Sequence, residues 1–261
     1  MTTLVATIEG IGYWSRGLPS WEAARAFATN GAVPADPPAR PLPQLLAPNE
    51  RRRAPETVAV ALDVALAACA AAGREPSSLP SVFASTHGDL SITDYMCTTL
   101  TGDPRTVSPT RFHNSVHNAA AGYWTIGAGA MQPATAISAY DATFAQGLLE
   151  AMVQLAAGHE AVLLVGYDGG SAGPLARISP SEGLLGAALV LSSAPGDGWP
   201  QLRVSLDDGA ADAVGGALAQ RDQANAMAQM LPLFDALAVG QRLAVLKSGH
   251  GRVLRVEIGH V

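Results

Sequence analysis

Apolar runs along the chain alternate with polar segments rich in glycine or proline, and the lengths of these runs predict strands and helices in turn. Residues 4–8 predict a first strand, and Gly10 and Gly12 predict a turn directly after it. Residues 21–29 predict a short helix. The proline-rich segment 31–48 predicts a surface loop, because proline interrupts regular structure.

A long apolar helix is predicted over residues 57–72, which are mostly alanine, valine and leucine. Pro55 suits the first turn of such a helix, and Gly73 suits its end. A helix that is apolar on all sides is normally buried. We therefore expect this helix to lie inside the molecule.

The rest of the chain continues the alternation of strands and helices. The pattern predicts strands over residues 81–85, 133–140, 161–166, 184–192, 201–206, 243–246 and 253–258, and helices over residues 91–100, 119–128 and 141–157, with residues 211–237 helical in part. The run 161–166 is typical of a strand that is covered on both faces. The last two strands are joined by a short turn and predict a closing hairpin. Together these elements indicate a layered α/β domain.

The composition favours a folded globular domain and argues against a general role in nucleic-acid binding. Hydrophobic residues make up 48% of the chain, which is enough for a sizeable core. Charged residues make up 15%, which is too few for a disordered chain. The net charge is −6, whereas phosphate binding needs a basic face. The one basic run, Arg51–Arg53, is either simply solvated or a docking point for an acidic partner such as a carrier protein.

The two cysteines and the apolar segments point to a reducing cytoplasm. Cys69 lies in the apolar helix, where a buried inert thiol is expected, and a lone Cys97 elsewhere gives no disulfide framework. The first residues lack the pattern of a signal peptide. No uninterrupted apolar run reaches the ~18 residues of a membrane span.

Histidines supply the first candidate chemistry. His113 and His117 are four residues apart, a spacing that can hold a metal on a helix face, but neither the glutamate of a metalloprotease motif nor a third ligand accompanies them. We therefore expect these two and Asn118 to line a turn or a subunit interface, without a metal. His87 is expected to be a loop residue.

Two glycine motifs are weak candidates for catalysis or cofactor binding. Gly169–Gly173 matches the Gly-x-Ser-x-Gly pattern, yet Pro174 argues against the helix that a nucleophile elbow requires. Gly10 and Gly12 lack the third glycine of a dinucleotide fingerprint. The sequence therefore predicts no cofactor.

A more specific signal lies in residues 135–143, TAISAYDAT, which precede a helix, Gly158 and the apolar strand 161–166. This order resembles the active-site region of β-ketoacyl synthases, in which a strand delivers a nucleophilic cysteine to a helix N-terminus. Counting back from Gly158 places Asp141 at the cysteine position. Further segments resemble the family in the same order from residue 4 to residue 192, and residues 115–118 resemble compact ketosynthase-like proteins of aryl-polyene pathways.

The resemblance implies a thiolase-like fold of the α/β class that corresponds to the N-terminal half of a ketosynthase. A mixed sheet, a buried helix and a truncated second half are expected. We expect one domain over residues 1–261, in which residues 4–192 carry the resemblance and residues 193–261 form a short C-terminal extension with the hairpin.

Asp141 changes the chemistry that the resemblance implies. Condensation needs a thiolate to carry the acyl chain, and a carboxylate cannot form a stable thioester in its place. Asp141 is expected to cap the helix N-terminus instead. His87, His113, His117 and Asn118 are the expected neighbours of this altered site.

Three functions follow as hypotheses. The first is a non-condensing subunit that pairs with a complete ketosynthase and shapes acyl-chain length in aryl-polyene or fatty-acid-like biosynthesis, with an acyl carrier protein as a further possible partner. Its small-residue segment 119–130 would suit a tight dimer contact. The second is an acyl-thioester enzyme that uses Asp141 with His87 or His113. The third is a homodimeric scaffold that binds acyl chains or lipids.

Overall fold

The computed structural model describes residues 3–196, 198–211 and 215–260. Its strands are β1 (Leu4–Ser15), β2 (Ser81–Ala84), β3 (Ala134–Ile137), β4 (Ala161–Asp168), β5 (Leu185–Ser192), β6 (Pro200–Asp208), β7 (Leu243–Lys247) and β8 (Arg252–His260). Its helices are α1 (Trp21–Asn30), α2 (Pro48–Arg51), α3 (Glu56–Ala72), α4 (Leu90–Thr101), α5 (Pro109–His113), α6 (Ala119–Ala128), α7 (Thr143–Ala156), α8 (Ala217–Arg221) and α9 (Leu231–Val239). None of these helices is long and apolar enough to cross a bilayer.

The strands form one mixed sheet in the order β3-β2-β4-β5-β1-β6-β8-β7. Strands β3, β2 and β4 run parallel, and the remaining neighbours pair antiparallel. The sheet therefore has two outer strands, β3 at one edge and β7 at the other. The carboxyl ends of β2, β3 and β4 meet at one place, where the candidate site lies.

Helices cover the central strands on both faces. One core contains α3 and α6, and the other contains α1, α7 and α9. Along β4, Leu163 and Val165 face the first core, whereas Val162 and Leu164 face the second. The predicted two-faced strand and the predicted buried helix are both confirmed, since every residue of β4 is buried and α3 is buried along most of its length.

The turn predicted at Gly10 and Gly12 is wrong, because β1 continues through both residues to Ser15. A Cβ atom on Gly10 would lie 2.2 Å from the carbonyl oxygen of Ala68, and one on Gly12 would lie 2.0 Å from that of Val64. These two glycines therefore let the backbone of α3 lie directly against the strand.

The C-terminal segment is built into the sheet. Strand β6 pairs with β1, and the predicted hairpin is confirmed as the antiparallel pair β7–β8, which pairs in turn with β6. Within the partly helical segment 211–237, residues 212–214 lie outside the described residues, and the remainder contains α8, a 3₁₀ turn and α9. Residues 1 and 261, the expected domain limits, also lie outside the described residues.

Replacement of Gly12 by alanine should destabilise the fold by about 2 kcal/mol or more, because the added methyl group overlaps the α3 backbone. Gly122→Ala is the matched control: its Cβ would meet nothing within 4 Å, so better helix propensity should stabilise α6 by roughly 1 kcal/mol. Urea unfolding measures both changes. Equal stability of the two variants would contradict the close contact between α3 and β1.

Candidate functional site

The segment between β3 and α7 presents Asp141 in a 3₁₀ turn, Tyr140–Ala142. Helix α7 begins at Thr143, two residues later than predicted. The predicted capping role of Asp141 is wrong, because Ala142 is the N-cap residue of α7 and, within the described residues, the Asp141 carboxylate accepts no hydrogen bond from a backbone amide. Thr143 organises the turn instead: its Oγ1 accepts from the Ala139 amide at 3.0 Å and donates to the Tyr140 carbonyl at 2.6 Å.

The Asp141 carboxylate forms an ion pair with the Lys247 ammonium group. Lys247 is the only lysine in the sequence, and it lies at the end of β7. The adjacent residue adds a second contact, since the Gln146 amide donates to the Ser248 carbonyl at 3.3 Å and to its hydroxyl at 3.0 Å. The C-terminal hairpin therefore contacts both the Asp141 turn and the first turn of α7.

This arrangement suits charge pairing better than covalent catalysis. A negative charge near the start of α7 is favourable, because the helix macrodipole is positive at that end. Within the described residues, Asp141 forms no hydrogen bond or ion pair with a histidine that could act with it as acid or base. Both members of the ion pair are partly exposed, so its net contribution to stability is expected to be small.

His87 and His117 both border the loop after β2. The Nε2 atom of His87 lies 2.6 Å from the Ser179 hydroxyl, and that of His117 lies 2.8 Å from the Ser85 carbonyl oxygen. Each ring is thus engaged with a different polar group. The two histidines hold neighbouring loops together near the site.

His113 and Asn118 lie apart from that loop. The His113 and Tyr123 rings form a T-shaped pair with centroids 5.8 Å apart, and Asn118 immediately precedes α6. Across the described residues no cluster of histidine, cysteine and acidic side chains could hold a metal ion. Within the described residues, none of the four expected neighbours forms a hydrogen bond or an ion pair with Asp141.

Asp168, which the sequence did not single out, is a buried residue that binds the loop after β2. It ends β4 and is fully buried, and its carboxylate accepts from the Ser85 hydroxyl at 2.7 Å and from the amides of Thr86 and His87 at 2.9 and 3.1 Å. Burial raises the pKa of this carboxyl, while these hydrogen bonds and the nearby His87 act in the opposite direction. Thr86 Oγ1 in turn donates to the Tyr140 carbonyl at 3.3 Å, which links the network to the Asp141 turn.

An open groove of about 710 Å³ lies between α5, α6 and the segment around α2. Its apolar lining includes Leu46, Phe112, Val116, Tyr123 and Ile126. Phe112, Val116 and Ile126 are exposed despite their size. Helix α6 contacts the outer strand β3, so the groove and the sheet edge belong to the same side of the molecule.

The remaining candidates carry no catalytic geometry. Ser171 donates its hydroxyl hydrogen to the Ser179 carbonyl at 2.8 Å, and a 3₁₀ turn rather than an α-helix follows it. Ser171 is therefore not a nucleophile elbow. Burial raises the pKa of the Cys69 thiol to about 12, which agrees with the expected inert role.

Comparison with protein families gives a match to the family described as "Beta-ketoacyl synthase, N-terminal domain" over residues 20–252. Comparison with curated proteins gives no match.

Solved structures extend the likeness to nearly the whole chain. A chain of the complex of a ketosynthase (ApeO) with its chain length factor (ApeC) from Xenorhabdus doucetiae is 23% identical, with 97% of this chain and 99% of that chain covered and a TM-score of 0.76. For a chain of the ishigamide ketosynthase/chain length factor, the identity is 15%, the coverage 99% of both chains and the TM-score 0.74. These likenesses confirm the predicted thiolase-like α/β fold.

A longer ketosynthase matches this chain over only part of its own length. The ketosynthase from module 1 of the bacillaene synthase of Bacillus amyloliquefaciens is 16% identical, and the match covers 81% of this chain but 47% of that chain, with a TM-score of 0.56. The present chain therefore matches compact ketosynthase-type chains end to end and about half of this larger one.

Asp168→Ala should destabilise the protein by roughly 3 kcal/mol or more, because three buried donors lose their acceptor. Asp208→Ala is the control, since the Asp208 side chain is 92% exposed and pairs with Arg252 at the surface; its effect should stay below about 0.5 kcal/mol. Urea unfolding of both variants makes the comparison. Equal, small losses of stability would show that Asp168 does not hold the loops.

Proposed function

The chain belongs to the β-ketoacyl synthase N-terminal domain family, and on that premise we propose that it is a chain-length-factor-like subunit that pairs with a complete β-ketoacyl synthase. It would act in the cytoplasm, in aryl-polyene or fatty-acid-like biosynthesis, without condensing acyl chains itself. The observation that carries the proposal is the ion pair between Lys247 and Asp141, the residue that the resemblance aligns with the nucleophilic cysteine.

The chemistry of condensation supports a non-condensing role. An acyl chain must be transferred to a thiolate before it can react with the extender unit, and Asp141 offers only a carboxylate. The neighbouring space contains Lys247 and Ser248 from the hairpin. An acyl-thioester enzyme that uses Asp141 with His87 or His113 receives no support, because no histidine in the described residues forms a hydrogen bond or an ion pair with Asp141.

The β3 side of the molecule suits a partner subunit. Strand β3 pairs only with β2, so its other edge presents unpaired backbone groups within the described residues. Between α6 and β3, Met131 is 97% exposed, and Ile126 on α6 is 76% exposed. Exposed apolar side chains beside an open strand edge are typical of an interface. The similar Xenorhabdus doucetiae chain comes from a complex of a ketosynthase with its chain length factor, which favours such a partner.

The groove beside α6 provides the means to influence product length. It is lined by apolar side chains and lies on the same side as the β3 edge. In the pair it would supply one wall of the space that the growing acyl chain fills. A carrier protein would deliver that chain to the partner's thiolate.

Changes in the groove should therefore change product length. The chain would be co-expressed with the complete ketosynthase encoded near it, and the acyl products would be sized by mass spectrometry. Val116→Trp should shorten the main product by at least one extension step, because the larger ring fills the groove, and Phe112→Ala should lengthen it.

Val239→Trp is the matched control, because Val239 is exposed at the end of α9 next to β7, at the opposite edge of the sheet. This variant should give wild-type products. Unchanged products from both groove variants, in complexes of normal mass, would contradict a role in chain length.

A further inference from the structure

Tyr140 has a backbone conformation that its side chain disfavours. It is the only non-glycine residue with positive φ in the part of the chain that the structure describes, at 53°. A Cβ atom in this left-handed region crowds the following carbonyl oxygen, so glycine and asparagine are the usual residues there. Such outliers persist where the surroundings impose them, and they cluster at functional sites.

Hydrogen bonds impose this conformation from several directions. The Tyr140 carbonyl oxygen accepts from Thr143 Oγ1 at 2.6 Å and from Thr86 Oγ1 at 3.3 Å. The Ser138 hydroxyl fixes the other side by donating to the Thr86 carbonyl at 3.0 Å. The next residue, Asp141, is tied to the hairpin by Lys247. The backbone of Tyr140 is therefore held before any partner binds.

The Tyr140 side chain has no polar or aromatic partner within the described residues of the subunit. Tyr140 is 63% exposed, and within the described residues its hydroxyl forms no hydrogen bond and its ring stacks on no other aromatic ring. An asparagine would satisfy the same backbone geometry at lower cost. The tyrosine side chain is thus explained better by a contact outside this chain.

We propose that Tyr140 is a preorganised anchor that packs into the surface of the partner ketosynthase when the two subunits pair. This inference rests on the proposed function, because it takes its partner from there. Only two residues separate Tyr140 from the end of β3, the outer strand at the proposed interface. Tyrosine buries a large area with few rotatable bonds and is enriched among the residues that dominate binding energy. Because the backbone is already fixed, less conformational entropy is lost when the two subunits pair.

The test separates the ring from the backbone. Tyr140→Asn keeps a residue that tolerates the left-handed conformation but removes the ring, whereas Tyr140→Phe keeps the ring and removes the hydroxyl. Trp199→Asn is a control at an exposed aromatic residue that precedes β6, far from β3 in the order of strands. For each variant, thermal unfolding of the isolated chain and the dissociation constant for the ketosynthase are measured.

Tyr140→Asn should unfold at the wild-type temperature or above, because the strain is relieved, yet bind the ketosynthase at least about tenfold more weakly. Tyr140→Phe should bind within about twofold of wild type, and Trp199→Asn should bind as the wild type does.

Wild-type binding by Tyr140→Asn would overturn the inference and leave the proposed function standing. A lower unfolding temperature for Tyr140→Asn would also overturn it, by showing that the ring serves folding. A wild-type chain that binds no ketosynthase would overturn the proposed function and the inference together.

Discussion

The close contact between helix α3 and the centre of the sheet is the constraint on which the rest of the structure depends. The helix lies against β1, β4 and β5, and it can do so because Gly10, Gly12 and Gly186 offer no side chain where it passes. This packing fixes the middle of the sheet. It thereby fixes the carboxyl ends of β2 and β4, where Asp168 joins the loops that surround the Asp141 turn.

The proposed function rests on the turn that the resemblance aligns with the nucleophile position of a ketosynthase. A strand still leads into a helix whose N-terminus favours negative charge. The charge now belongs to Asp141, and its counter-ion is the single lysine of the chain, contributed by the C-terminal hairpin. A thiolate there would be a reactive group, whereas the carboxylate with its lysine is an ion pair that joins the turn before α7 to the C-terminal hairpin.

The sequence predicted those features whose causes are local. The apolar run 57–72 and Gly73 located α3 to within one residue. Both signals are local: the run is continuous in sequence, and the left-handed glycine that ends the helix directly follows it. The continuation of β1 through Gly10 and Gly12 was not predicted, because glycine usually indicates a turn. The two glycines are explained only by their contact with α3, which is distant in sequence. Asp141 was found through a resemblance, but its contact with Lys247 joins residues that no local pattern connects. Asp168 could have been noticed as a carboxylate that ends a fully apolar strand.

The most direct test of this account is the mass and the condensing activity of the chain co-expressed with the complete ketosynthase encoded near it. The account predicts a stable one-to-one complex, condensation only by the pair, and undiminished condensation when Asp141→Asn replaces the wild-type chain. Condensation by this chain alone, loss of activity with Asp141→Asn in an intact complex, or a chain that pairs only with itself and leaves the ketosynthase unaffected would contradict it.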